Sequence, residues 1–250
     1  LNMGDWDTRK VTGMQQMFLS VGKSDETFTL DVSGLDTGNV TDMYNMFNGC
    51  KQLTNLDVSG FNTEKVTNMN SMFCGCSVLT GLDVSSFNTR SVIKTNSMFY
   101  NCSNLITLNL SKINTSKVIN MSSMFQECRS LTTLDLGDKF DTSNVTTTVS
   151  MFHECNSLTS LDLGDKFDTS KVTDMSSMFY DCNSLTILDL SVGKALAITL
   201  NLGSIAFTSS SLIEFNSSEV KAIWSLLVKS PESLAIATAV SFLSPVIITT

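Results

Sequence analysis

The stretch VTDMSSMFYDCNSLTILDLS at residues 172–191 decides the fold, because variants of it recur about seven times along the 250-residue chain. Every copy contains a Met-Phe pair, and successive phenylalanines lie 29, 26, 26, 26, 27 and 27 residues apart. They are Phe18, Phe47, Phe73, Phe99, Phe125, Phe152 and Phe179. A unit of this length cannot bury its own apolar face and must stack on its neighbours. The period therefore predicts a solenoid, with one copy per coil.

The copy at residues 53–78 shows how one coil is built. Its LxxLxL spacing, beginning at Leu53, predicts a short strand whose side chains alternate between the core and solvent. The apolar residues that follow are Val66, Met69, Met72 and Phe73. Their spacing of i, i+3, i+6 and i+7 is typical of a short α- or 3₁₀-helical segment. We therefore predict an α/β fold of about seven 26–27-residue coils with a parallel β-sheet over residues 1–191.

The repeat stops after Leu190, and residues 192–250 predict a C-terminal capping region. The pattern indicates a strand at 195–202, an amphipathic helix at 216–229, a second helix to about 243 and a short strand at 246–249. Residues 233–250 carry no charge, so a membrane segment is the alternative interpretation. That stretch is barely long enough to cross a bilayer, and Pro245 interrupts it. The cap is the interpretation we favour.

The first residues of the chain align with the middle of a repeat, since residues 1–8 match residues 56–63. A solenoid that opens in this way exposes an unpaired edge on its first coil. We expect that edge to be covered by residues that precede this segment, by a neighbouring domain, or by self-assembly with another subunit.

Composition excludes several functions. The formal net charge is −8 with only 16 Lys and Arg, so we expect no binding to nucleic acid and no insertion into membranes. The chain contains no Ser-His-Asp set, phosphate loop or Cys-His metal motif. We therefore predict that the protein is not an enzyme and needs no cofactor or metal.

Six cysteines occupy one column of the repeat, and the geometry of stacked side chains favours buried core thiols over a metal site or disulfides. They are Cys50, Cys76, Cys102, Cys128, Cys155 and Cys182. Cys74 lies instead in a variable turn column that also contains His153. We expect both side chains to be exposed, and Cys74 to be the one reactive thiol.

A second column is acidic and should point outward from the sheet. Its candidate binding residues are Asp57, Asp83, Asn109, Asp135, Asp162 and Asp189. Stacked carboxylates repel one another, and such a cost usually has an offset. Local hydrogen bonds to Ser or Thr hydroxyls and the backbone would provide one. Alternatively, the column is a polar strip that receives a cation or a basic partner.

The units SMFxxCxxLTxLDLS at residues 177–191 and FDTSKVTDM at residues 167–175 resemble the BspA-like leucine-rich-repeat surface proteins. The resemblance covers residues 1–191 and implies a curved leucine-rich-repeat solenoid. It also implies display on a microbial surface, a role in adhesion and no catalytic residues.

We expect a non-enzymatic, surface-displayed interaction module that binds a protein or glycan ligand. The alternative is a structural subunit of a fibre, virion or surface assembly. Either would be extracellular or displayed on a cell surface or virion.

Overall fold

The computed structural model describes residues 6–22 and 26–189, where the regular secondary structure consists of short parallel strands without any helix. The strands are β1 (Phe28–Leu30), β2 (Leu53–Leu56), β3 (Thr107–Asn109), β4 (Thr133–Asp135), β5 (Ser160–Asp162) and β6 (Ile187–Asp189). They pair in parallel as β1–β2, β3–β4 and β5–β6. The predicted short parallel strands are therefore confirmed. The predicted capping region at 192–250 lies outside the described residues.

The pairing register of β3–β4 and β5–β6 joins each residue to its equivalent in the next copy, whereas β1–β2 has a register shift after Phe28. Leu108 pairs with Leu134 across β3 and β4, and Leu161 pairs with Leu188 across β5 and β6. A second parallel ladder uses one residue from each copy. It runs through Gly13, Asp42, Asn68, Lys94, Asn120, Thr147 and Asp174. Each copy is therefore hydrogen-bonded to the next one along the described array.

The helical segment predicted at residues 66–73 is wrong, because these residues form successive turns. The amides of Met69, Ser71 and Phe73 donate to carbonyls of the next copy, each over 3.0 Å. Met72 instead donates back to the carbonyl of Met69 over 3.2 Å, which closes an i to i+3 turn. Ser71, at the third position of that turn, has a φ of 53°, as a type II turn requires. Turns of this kind place apolar residues at the same i, i+3 spacing as a helix.

The core is built from columns of identical side chains. The seven Met-Phe phenylalanines stack ring on ring, with centroids 5.3–5.8 Å apart and planes within 11° of parallel. All seven are buried. Offset stacking of this kind adds to the stabilisation that burial provides.

A buried threonine column fixes the spacing between copies. The hydroxyl of Thr63 donates to the carbonyl of Asn88 over 3.1 Å and accepts a hydrogen bond from the Asn88 amide over 2.8 Å. Thr89 and Thr115 make the same pair of bonds to Asn114 and Asp141. Each of these hydroxyls is therefore satisfied inside the protein, which removes the cost of burying it.

Candidate functional site

The strand face consists of the outward-pointing side chains of the LxL segments, in two neighbouring columns. The acidic column contributes Asp57, Asp83, Asn109, Asp135 and Asp162, which are all exposed. The column two residues earlier contributes Asn55, Gly81, Thr107, Thr133 and Ser160, which are also exposed. Of the sixth candidate, Asp189, the structure describes the backbone, which pairs with Asp162. The strand face is therefore an open surface that brings the predicted residues into one row.

Local hydrogen bonds hold the side chains of the acidic column in place. In Asp57, Oδ1 accepts a hydrogen bond over 2.9 Å from the amide two residues later. Asp83, Asn109 and Asp162 make the equivalent contact over 2.8, 2.9 and 2.7 Å. This Asx turn orients each side chain. Because Asn109 makes the same turn as the aspartates, the turn requires an oxygen and not a charge.

These bonds also favour the ionised carboxylates. The hydroxyl of Ser59, followed by its amide, lowers the pKa of Asp57. The amide of Ser85, followed by its hydroxyl, lowers the pKa of Asp83. The negative charge of Asp57 acts in the opposite direction and raises the pKa of Asp83 as a minor contribution. The hydrogen bonds dominate, so the strand face remains negatively charged at neutral pH.

The strand face contains no compensating positive charge within its strands. None of the six described strands includes a lysine or arginine. In residues 6–22 and 26–189, no group of three or more His, Cys, Asp or Glu residues is placed to hold a metal ion. One Asp or Asn per copy gives a row instead of a convergent site. The arrangement suits an extended partner with basic or hydrogen-bonding groups.

A second feature, which the sequence analysis missed, is a network on the turns that follow the Met-Phe pairs. We call it the turn cluster. It consists of Tyr100, Gln126, Glu127, Arg129, His153, Glu154 and Tyr180. These residues come from four successive copies. The cluster therefore joins side chains that are far apart in the sequence, such as Arg129 and Glu154.

Arg129 is at the centre of the turn cluster. Its Nη2 donates to Oε2 of Glu127 over 2.9 Å and to Oε2 of Glu154 over 2.7 Å, and its Nε donates to Glu154 over 3.0 Å. The Tyr100 hydroxyl donates to Oε1 of Glu127 over 2.7 Å. This bond, with burial and the nearby carboxylate charge, raises the pKa of Tyr100 to about 12. Arg129 thus neutralises part of the negative charge of Glu127 and Glu154.

His153 is half-buried within the turn cluster, which corrects the prediction that it is simply exposed. Its Nε2 lies 3.6 Å from Oε1 of Glu154, and its Nδ1 lies 3.5 Å from Nε2 of Gln126. Its ring packs edge-on against Tyr180, with centroids 5.0 Å apart. The histidine is therefore positioned by three neighbours from three copies.

One sequence signal could have revealed the turn cluster. Glu127 and Glu154 occupy left-handed backbone positions, with φ of 61° and 58°. The equivalent positions in other copies hold Ser20, Gly49, Gly75, Asn101 and Asp181. Glutamate is poorly suited to this conformation, whereas Gly and Asn adopt it readily. Glutamate is the largest residue in this column and occurs in two successive copies, which indicates a compensating contact.

The cysteines fall into the two predicted groups, but Cys74 differs from expectation. The column cysteines are free thiols, five of them buried and Cys182 half-buried. The thiol of Cys76 donates to the carbonyl of Phe47, one copy earlier, over 3.3 Å. Cys74 is half-buried, not exposed, and burial, with the Glu127 charge, raises the pKa of its thiol to about 11. Little thiolate forms at neutral pH, so the expected reactivity of Cys74 is not supported.

A family model described as "Mycoplasma protein of unknown function, DUF285" matches residues 1–106 and again residues 104–192. The chain belongs to the DUF285 family. The two matches to DUF285 together cover the whole repeat array, including the strand face and the turn cluster. Membership of DUF285 is compatible with the resemblance to BspA-like repeats, although the family description names no activity. No curated protein matches the chain.

The described residues include no helix with the length and apolar character needed to cross a membrane. The alternative membrane segment at 233–250 lies outside them.

Proposed function

We propose that this protein is a non-enzymatic interaction module that binds a protein or glycan through the strand face. The proposal rests on one observation. The copies expose an Asp or Asn in the same column, and none of the six described strands contains a basic residue. Exposed polar surfaces on a rigid scaffold are where binding residues concentrate. A row with this charge suits a partner with basic groups, because complementary charge speeds and orients association.

We further propose that the array is a leucine-rich-repeat solenoid of the BspA-like surface proteins. The period, the in-register parallel pairing and membership of DUF285 support this assignment. On this proposal the protein is extracellular or displayed on a cell surface or virion, where it acts in adhesion.

A structural subunit of a fibre, virion or surface assembly is the second candidate. The ladder between copies favours it, because a parallel edge of another molecule can continue such a ladder. In this role, residues of the array would serve as contacts between molecules instead of receiving a ligand.

The experiment that tests the strand face uses a printed glycan array and an array of synthetic lysine- and arginine-containing peptides. A triple variant carries Asp57→Asn, Asp83→Asn and Asp162→Asn. Asparagine preserves the Asx turn, as Asn109 shows, and removes three charges. We expect ligands bound by the native protein to bind the triple variant about tenfold more weakly, or about 1.4 kcal/mol.

A matched control removes three charges from a different column. Asp36→Asn, Asp141→Asn and Asp168→Asn change positions that form the same type of turn, and Asn62 naturally occupies that column. The control should bind as the native protein does. An equal loss of affinity in both triple variants would show that the effect comes from net charge and not from the strand face. A native protein that binds neither array would contradict a ligand-binding role.

Sedimentation velocity distinguishes the two candidate functions. A stable monomer that retains ligand binding supports the interaction module. Ordered polymers that form without added ligand support the structural subunit.

A further inference from the structure

A basic segment lies in the middle of the array. Residues 84–126 contain four Lys or Arg residues and no Asp or Glu, although the whole chain has a formal net charge of −8. The four basic residues are Arg90, Lys94, Lys112 and Lys117, and all of them are exposed. The protein therefore presents a positively charged surface that is separate from its acidic strand face.

The basic side chains of this segment are not paired with carboxylates of their own chain. Two of the three arginines in the sequence, Arg9 and Arg129, form salt bridges with neighbouring acidic residues. Within residues 6–22 and 26–189, Arg90, Lys94 and Lys117 form none. Exposed charges of this kind remain available to a partner of opposite charge, which they steer and orient.

Two exposed isoleucines lie among these basic residues. Ile93 and Ile119 occupy the same column in adjacent copies, where the Ile119 amide donates to the Ile93 carbonyl over 3.2 Å, and they are 39% and 45% exposed. The other described copies have threonine in this column. In four of them the hydroxyl donates to a carbonyl of the preceding copy, namely in Thr41, Thr67, Thr146 and Thr173. Each isoleucine lacks that hydrogen bond and exposes apolar surface in its place.

Together these side chains form a surface that we call the central patch, which consists of Arg90, Ile93, Lys94, Lys117 and Ile119. The first three come from one copy and the last two from the next copy, and a parallel bridge at Lys94 joins the two copies. An apolar centre with polar residues around it is the usual composition of a protein–protein interface. The central patch therefore suits a protein surface with apolar and acidic side chains.

The strand face of the same protein has the complementary arrangement. Ile106, which directly precedes β3, is 48% exposed. Asp83 and Asp135 belong to the copies before and after it, and both are exposed. The strand face thus presents an apolar side chain between negative charges, and the central patch presents apolar side chains among positive charges.

We propose that the central patch binds the strand face of a second copy of this protein. The isoleucines of the patch contact Ile106 of that copy, and the basic residues of the patch face its Asp83 and Asp135. The inference rests on the proposed role of the strand face in binding, and it names the basic partner. Because the two contacting surfaces differ, each molecule in a pair keeps one free surface of each kind, and the contact can repeat from molecule to molecule.

The test uses variants of the full chain whose new residues already occur in the same columns of other copies. The patch variant carries Arg90→Ser, Lys94→Asn and Lys117→Asn, and the strand variant carries Asp83→Asn and Asp135→Asn. A matched control removes three lysines from the column of Lys117 in other copies. It carries Lys10→Asn, Lys65→Asn and Lys171→Asn.

Sedimentation equilibrium measures the association between about 10 μM and 1 mM. We expect the native protein and the control to associate reversibly, and the patch variant and the strand variant each to associate about tenfold more weakly. A mixture of these two variants should form a 1:1 complex, because each contributes the surface that the other lacks. Ile93→Thr with Ile119→Thr should weaken the association without any change in charge.

Two results would overturn the proposal. One is a native protein that remains monomeric up to about 1 mM, which would leave the central patch to a different acidic partner. The other is a mixture of patch and strand variants that forms no complex. The glycan and peptide arrays decide the proposed function separately. If the strand face binds peptides there while the mixed variants stay apart, only the pairing with a second copy is wrong.

Discussion

Many polar side chains in this protein form hydrogen bonds to the backbone of a neighbouring copy. The buried threonine hydroxyls donate to and accept from the backbone one copy later, and the column thiols donate to carbonyls one copy earlier. Each such hydrogen bond contributes about 0.5–1.5 kcal/mol. A substitution in one copy therefore affects at least two copies.

Tyr100 provides a titration test of the turn cluster. Its pKa is raised to about 12, first by its hydrogen bond to Glu127 and then by burial and nearby negative charge. In a Tyr44→Phe, Tyr180→Phe background, we expect Tyr100 to ionise near pH 12 by absorbance at the phenolate band. Glu127→Gln removes the charge that opposes the phenolate, so the midpoint should fall towards 10. A midpoint unchanged by Glu127→Gln, with the fold intact by circular dichroism, would contradict the observed contact.

Left-handed turns recur in every described copy, and most copies add a short strand to them. Ser123 and its equivalents in other copies have φ values between 53° and 59°. Such angles are unfavourable for residues with a Cβ atom, and glycine adopts them without that cost. The hydrogen bonds that alternate amides donate to carbonyls of the next copy offset this strain.

The strain at Ser123 predicts an inverted preference between glycine and alanine. We expect Ser123→Gly to be more stable to denaturant than Ser123→Ala by about 1 kcal/mol, since only alanine retains the left-handed penalty. Ser122, the preceding residue, is not among the positive-φ positions and serves as the control. There the usual order should hold, with glycine less stable than alanine by about 0.5–1 kcal/mol. The same order at both positions would argue against the left-handed turn.

Part of each copy could be predicted from the sequence. The apolar columns, the buried thiols and the outward acidic column follow from alternation and periodicity, which depend on residues close in sequence. The supposed helix at residues 66–73 was wrong because successive turns and a helix share the i, i+3 spacing. The turn cluster was missed because its contacts, such as Arg129 to Glu154, join residues 25 positions apart. Only the backbone register places these residues side by side.

For the whole molecule, the acidic column links stability to pH. The pKa values of Asp57, Asp83 and Asp31, which occupies the equivalent position one copy before Asp57, are lowered by hydrogen bonds from the serine two residues later. A carboxyl group whose pKa is lower in the folded state stabilises the fold above its unfolded value of about 3.9 and loses this effect as pH falls through the folded value. Acid should therefore destabilise the array.

Thermal melting between pH 7 and pH 2 measures this effect. We expect the melting temperature to decline below about pH 4. A variant with Asp31→Asn, Asp57→Asn and Asp83→Asn should decline less, because its turns no longer depend on ionisation. If the variant follows the same pH dependence as the native protein, these three carboxylates do not govern the acid transition.

The threonine column and the parallel ladders have a mechanical consequence. Their hydrogen bonds run between copies, along the direction in which the copies are stacked, and every junction is built from the same set of contacts. A tensile load applied to the two ends of the array would therefore meet a series of nearly equal junctions. Each junction that yields releases a copy of 26 to 29 residues, which lengthens the chain by roughly 80–100 Å. Such a chain would extend in steps and dissipate force one copy at a time.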